Sequence, residues 1–233
     1  MRIAYIGDKR IPIDEYQDDM SGNITCADGH KVVAKRGNIR VHHYSHLNSC
    51  SCGSGDMSSW HIEFQDRARK ECQEVRLMDK ETGKCTHIAD TLIPSSALDY
   101  MISDGCKGYA IEYQHSPMNM DVIRERERFY TGLGYHLVWV FDTSNWSYTL
   151  ISKGEKEITI RRKQGARFPM DGAYTGNVSK ILDMGRKQML LVTKQSGPSI
   201  TGVPIDMITF DKKYLGSMAV ESDERPFRVD LWK

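Results

Sequence analysis

The stretch that settles the fold reads THIADTLIP (86–94), GYAIEYQHS (108–116), a charged segment (120–132) and HLVWVFD (136–142). Side chains of an extended strand alternate between faces, so residues two apart share one. Glu112 and Gln114 therefore project together from a strand, with Ile111 and Tyr113 on its other side. Asp90, in a short apolar stretch upstream, completes an acidic pocket if its strand is a neighbour. Carboxylates converging at a strand edge suit a hard divalent cation such as magnesium, which takes oxygen ligands and keeps several waters. Residues 137–141 read as a buried strand, parallel to the Glu112 strand through a crossover helix.

The flanks follow from the same periodicities. On the crossover helix Val122, Ile123, Phe129, Tyr130 and Leu133 form the apolar side, and RERER (124–128) the charged side. Arg126 and Tyr130, four apart, sit on adjacent turns. The helix is expected to begin within 117–120, capped by Asn119 or Asp121, and to end at Gly132-Leu133-Gly134. Upstream, Ser58 or Ser59 caps a helix expected from Trp60 to about Leu77, on the spacing of Trp60, Phe64, Ala68, Cys72 and Val75. A turn at 79–83 follows it. Residues 86–93, 98–102 and 108–114 then read as a three-stranded meander. Residues 1–13 read as an edge strand and a turn. Residues 31–36 and 38–44 read as a hairpin, with Val32 and Val33 on one arm and Ile39 and Val41 on the other. A second hairpin is expected from 146–151 and 156–162. The apolar segments 178–182, 188–194 and 203–210 have no assignment.

Six cysteines, and a start that does not read as a secretory leader, frame the metal question. The start, MRIAYIGDKR, interrupts any apolar region with charge, so the expected setting is intracellular, where thiols bind metals or are buried rather than forming disulfides. Cys26 precedes the first hairpin; His42, His43, His46, Cys50 and Cys52 follow it. Zinc takes four Cys or His ligands in closed tetrahedral sites. Cys26, His43, His46 and either Cys50 or Cys52 make a candidate set, and His30 is another way to complete it. Surface histidines and simple thiols are the alternative reading.

A hydrophobic content of 39% and a charged content of 27% are those of a soluble globular chain. No apolar run approaches the roughly 20 residues that span a bilayer, so no membrane partner is expected. A net charge of +1 excludes a globally basic nucleic-acid binder. Local runs at 67–70, 124–128 and 161–163, with Arg167 and Lys180, remain candidate phosphate contacts or solvated faces.

In order, the chain carries His43-Tyr44-Ser45-His46, Trp60-His61, Ala89-Asp90, Ile111-Glu112-Tyr113-Gln114-His115-Ser116, Arg126 to Tyr130 and Trp139-Val140. This succession, over about residues 20 to 145, resembles the competence protein CoiA-like family within the PD-(D/E)XK nuclease superfamily. The resemblance implies an α/β (α+β) fold. Its restriction-endonuclease-like core (58–145) has a mixed β-sheet flanked by helices. A hairpin or zinc-knuckle-like module (1–57) precedes it and an extension (146–233) follows. It implies Asp90 and Glu112 as ligands of Mg2+ or Mn2+, Gln114 as the residue that orients the attacking water, and Glu63 as a further carboxylate. An exposed Glu63 paired with Arg67 is the competing reading. It sets Arg124, Arg126, Tyr130 and His61 on the substrate side, Arg126 and Tyr130 alternatively orienting Glu112 and His61 alternatively packed. The first cysteine pair of the family's knuckle is incomplete here, since Asp28 and Gly29 stand where a second cysteine falls. Most of the superfamily carries lysine where this chain has Gln114, which can align a water but brings no charge.

The implied function is metal-dependent hydrolysis of DNA phosphodiesters in recombination, repair or DNA processing, by a monomer or a homodimer. Two other classes stand beside it. One is a nucleic-acid-binding relative that cuts nothing; the other is a zinc-stabilised interaction module.

Overall fold

The computed structural model describes residues 1–38, 42–48, 57–78, 85–100, 102–103, 105–116, 118–163 and 177–220. The fold is α+β and divides into two compact units, Met1–Leu92 and Ile93–Lys233.

In the first unit, β1 (Ile3–Ile6) and β2 (Lys9–Pro12) form an antiparallel hairpin, so the expected single edge strand is two. β3 (Val32–Lys35) pairs antiparallel with β4 (His43–His46), as the valine pattern implied; Ile39 and Val41 lie outside the described residues. Ile13, Ile24, Cys26, Val32 and Tyr44 pack into one apolar cluster that joins these pieces.

Helix α1 (Ser59–Gln65) starts where predicted, with the Ser58 hydroxyl accepting from the His61 amide. It stops well short of Leu77. Residues expected to continue it form β5 (Gln73–Met78), antiparallel to β6 (Cys85–Pro94) with Val75 opposite Ala89 and Leu77 opposite His87. Val75 and Leu77 fit a two-residue period as well as a helical one, and strand pairing decides between them. Two tertiary contacts hold the extended path. The Arg10 guanidinium donates to the carbonyl of Glu71 at 2.9 Å and to that of Gln73. The buried Glu74 carboxylate accepts from the amides of Arg2 at 2.6 Å and Ile3 at 2.9 Å. Burial raises the Glu74 pKa above the usual carboxylate value. The turn expected at 79–83 lies outside the described residues.

In the second unit seven strands follow the order β7 (Gly108–Gln114), β8 (His136–Asp142), β11 (Val178–Gly185), β12 (Gln188–Ser196), β13 (Ser199–Asp206), β10 (Ile158–Arg162) and β9 (Tyr148–Lys153). β7, β8 and β11 run parallel, and the remaining pairs are antiparallel. Leu137, Val138, Trp139, Val140 and Phe141 are all fully buried, as a central strand covered on both faces requires. Helix α2 (Met120–Gly132) makes the β7–β8 crossover, with Asn119 accepting from the Asp121 amide at 2.8 Å. Pro117, within the expected helix start, lies outside the described residues.

The meander's middle strand is absent among the described residues of 98–102. Ser95–Ala97 forms a 3-10 turn instead, and Tyr100 is anchored by its side chain, its hydroxyl donating to the Lys213 carbonyl at 2.7 Å. Gly108 starts β7 at φ +137, where a Cβ would run into the Ile93 carbonyl and the Ser95 amide; only glycine fits there. The unassigned C-terminal segments are β11, β12, and β13 leading into α3 (Met207–Phe210). They extend the β7–β8 sheet.

Candidate active site and Cys/His cluster

Glu112 lies mid-strand on β7 and is 1% exposed. A carboxylate so deeply desolvated needs donors, and α2 supplies them: Arg126 donates to one oxygen and the Tyr130 hydroxyl to the other. Their spacing of four residues stacks them on one side of the helix. Tyr130 is fully buried, and the Arg126 side chain is about a third exposed. Arg126 and Tyr130, expected near substrate phosphate or orienting Glu112, both hold the Glu112 carboxylate. Arg124, on the same helix, is exposed, with Asp121 at 3.7 Å.

Glu112, Trp139 and Lys180 share one rung across β7, β8 and β11. Residues in register on neighbouring strands face the same way, so α2 covers all three. At the far end of the rung the arrangement is reversed. Lys180, 1% exposed, is the strand residue, and Glu127 of α2 lies 3.4 Å from its ammonium. Burial lowers the Lys180 pKa, and Glu127 partly opposes this. Lys180 is thus no part of a basic surface, contrary to expectation, because the strand alternation turns it under the helix. Arg167 lies outside the described residues.

Gln114 ends β7, its amide nitrogen donating to the Ser116 carbonyl. The next residue, His115, brings Nδ1 to 2.5 Å from the buried Asp142 carboxylate at the end of β8; Asp142 also accepts from the Ser144 amide at 2.7 Å. Sequence reading passed over this pair, because it gave the parallel direction of the two strands but not the register, Gln114 opposite Phe141, that ends them level.

In the first unit, Asp90 of β6 has His61 Nε2 3.3 Å from Oδ1, and its backbone carbonyl accepts from Gln65 Nε2 at 2.8 Å. His61 and Gln65 are four apart and share the side of α1 turned to Asp90. Glu63, two residues from either, is exposed on another side of the helix. Gln65, fully buried, was not singled out from sequence.

Cys26, His30 and His46 bring their ligand atoms within 4.8 Å of one another. The turn Cys26-Ala27-Asp28-Gly29-His30 closes through a bond from the Cys26 amide to the His30 carbonyl, with Gly29 at φ +83. His46 comes from β4, opposite Val32. Cys26 Sγ and His30 Nδ1 are 3.6 Å apart, close to the roughly 3.5 Å edge of a tetrahedral S–Zn–N pair. Burial and the neighbouring His30 lower the His46 pKa, favouring the neutral, ligating imidazole. His43 is not among the three, three residues along the strand being an odd step that changes face. Cys50 and Cys52 lie outside the described residues.

Residues 94–167, well under half the chain, match the family described as "Competence protein CoiA, nuclease-like domain". The CoiA-like resemblance is borne out by that match, and the matched segment is nuclease-like. It contains Glu112, Gln114, Arg126 and Tyr130. No curated protein and no solved structure matches the chain. Among the described residues no helix is long and apolar enough to cross a membrane.

Proposed function

We propose that the protein is a nuclease of the PD-(D/E)XK type that hydrolyses DNA phosphodiester bonds with Mg2+ or Mn2+. The observation that carries this reading is Glu112, a buried carboxylate with both oxygens oriented from α2, inside the segment that matches a nuclease-like family. A carboxylate oxygen carries two lone pairs, so accepting a hydrogen bond is compatible with ligating a cation. Carboxylate oxygens such as those of Glu112 are the hard donors that such an ion takes. The cation would supply Lewis-acid stabilisation of the phosphate and an acidified water.

Around it the chain's own groups do the rest. Arg126 and Tyr130 orient the Glu112 carboxylate, one donor on each oxygen. Gln114 orients the attacking water through its side-chain oxygen, its nitrogen being engaged by Ser116. His61 orients Asp90. Arg124, exposed on α2, contacts backbone phosphate. Cys26, His30 and His46 hold a structural Zn2+. A homodimer that cuts both strands, in an intracellular setting, fits this reading.

The test is cleavage of labelled linear, single-stranded, flap and four-way DNAs with Mg2+, Mn2+ or chelator. Asp90→Ala and Glu112→Gln are expected to reduce cleavage to background while circular dichroism stays that of wild type. Wild-type rates in both purified variants would reject the site.

A further inference from the structure

The β11–β12 hairpin turns through Arg186 and Lys187, between the paired residues Gly185 and Gln188. Both turn residues have positive φ, +53 and +62. A two-residue hairpin turn with this geometry favours Asn-Gly, because long side chains are strained in the left-handed region. The next hairpin of the same sheet obeys that preference. Between Ser196 and Ser199 the β12–β13 turn puts Gly197 at its positive φ of +54. One turn of the sheet therefore places cations where the other places glycine.

The two turns lie at opposite edges. β7, β8 and β11 run parallel, with Gln114 beside Phe141 and Phe141 beside Leu182. The Arg186–Lys187 tip thus extends past the carboxyl ends of the strands, the edge where Gln114 ends β7. β11 is two strands from β7, about 10 Å, and the tip stands about 10 Å beyond the last β8–β11 rung. Open sheets with parallel strands bind ligands at their carboxyl ends. Both cations are exposed, and Arg186 makes no ion pair among the described residues.

We propose that the Arg186–Lys187 tip is a phosphate-gripping element that holds the nucleic-acid backbone beside Gln114. Strained backbone presenting two long cations at the edge of the candidate site is the pattern expected of a binding device that costs stability. The element reads no base edges, so its contribution is independent of sequence and dependent on salt. The inference rests on the nucleic-acid reading above and adds the residues that grip the strand.

The test is the full-length double variant R186N/K187G, compared with wild type in chelator by fluorescence anisotropy on labelled single- and double-stranded DNA from 50 to 200 mM salt. The Asn-Gly turn is expected to raise the melting temperature by about 2–4 °C. It is also expected to flatten the slope of log affinity against log salt by about two, one per lost phosphate contact. Tighter folding with weaker, less salt-sensitive binding supports the proposal. Wild-type affinity and slope in the variant overturn it, and cleavage lost in E112Q would then leave the nuclease reading standing. A wild-type protein that binds no DNA overturns both.

Discussion

Asp90 and Glu112 are strand carboxylates of the same nominal kind, set in different surroundings. Asp90 is about a fifth exposed and meets a histidine that is charged only when protonated. Glu112 is almost wholly buried and is held by a permanent cation and a buried hydroxyl. The first can lose its charge with little consequence for the fold. The second is part of the packing of α2 on the sheet, so the chemistry proposed for it is tied to stability. Lys180 and Glu127 repeat the arrangement at the other end of the rung with the charges exchanged. The helix is thus pinned by a strand acid at one point and a strand base at another.

Alanine substitutions break this comparison most sharply. Glu112→Ala leaves Arg126 and Tyr130 facing an apolar gap and is expected to cost about 3 kcal/mol in urea denaturation. Asp90→Ala is expected to stay within about 1 kcal/mol of wild type, as for a partly exposed pair. Equal losses would remove the distinction. Lys180→Met strands Glu127 and is expected to cost about 3 kcal/mol, most of it recovered in K180M/E127L, because two apolar groups tolerate burial better than one lone charge. The same lysine predicts a pH effect. Its folded pKa lies below 10.5 because of burial, so between the two values the unfolded chain holds more protons. Stability relative to K180M should then rise as pH increases towards 10.5; a flat difference would show an unperturbed amine. Tyr130→Phe removes one bond to a charged acceptor and is expected to cost about 1.5 kcal/mol, with cleavage impaired more than DNA affinity. Arg124→Ala, on the exposed side of α2, should change stability by under about 0.5 kcal/mol.

Much of this was readable in the chain. The alternation around Glu112 and Gln114, the apolar run of β8 and the four-residue spacing of Arg126 and Tyr130 are local periodicities, and each survives folding unchanged. Cys26 and His46 stood out by residue type, and the Asp28-Gly29 turn that delivers His30 is a short-range signal. The misread region, 66–78, is one where Val75 and Leu77 satisfy two periods at once. Arg10 and the amides of Arg2 and Ile3, contributed by the distant first hairpin and the residue that leads into it, favour the strand.

By itself the amino-acid order determined which side chains share a strand face or a helix side, because covalent geometry sets those repeats within a few residues. Only the tertiary structure decided which charges meet across elements. Lys180 under Glu127, His115 against Asp142 and the cationic tip beyond the carboxyl edge all depend on strand register and direction. Those are set by burial summed over the whole sheet, and no local pattern of residues encodes them.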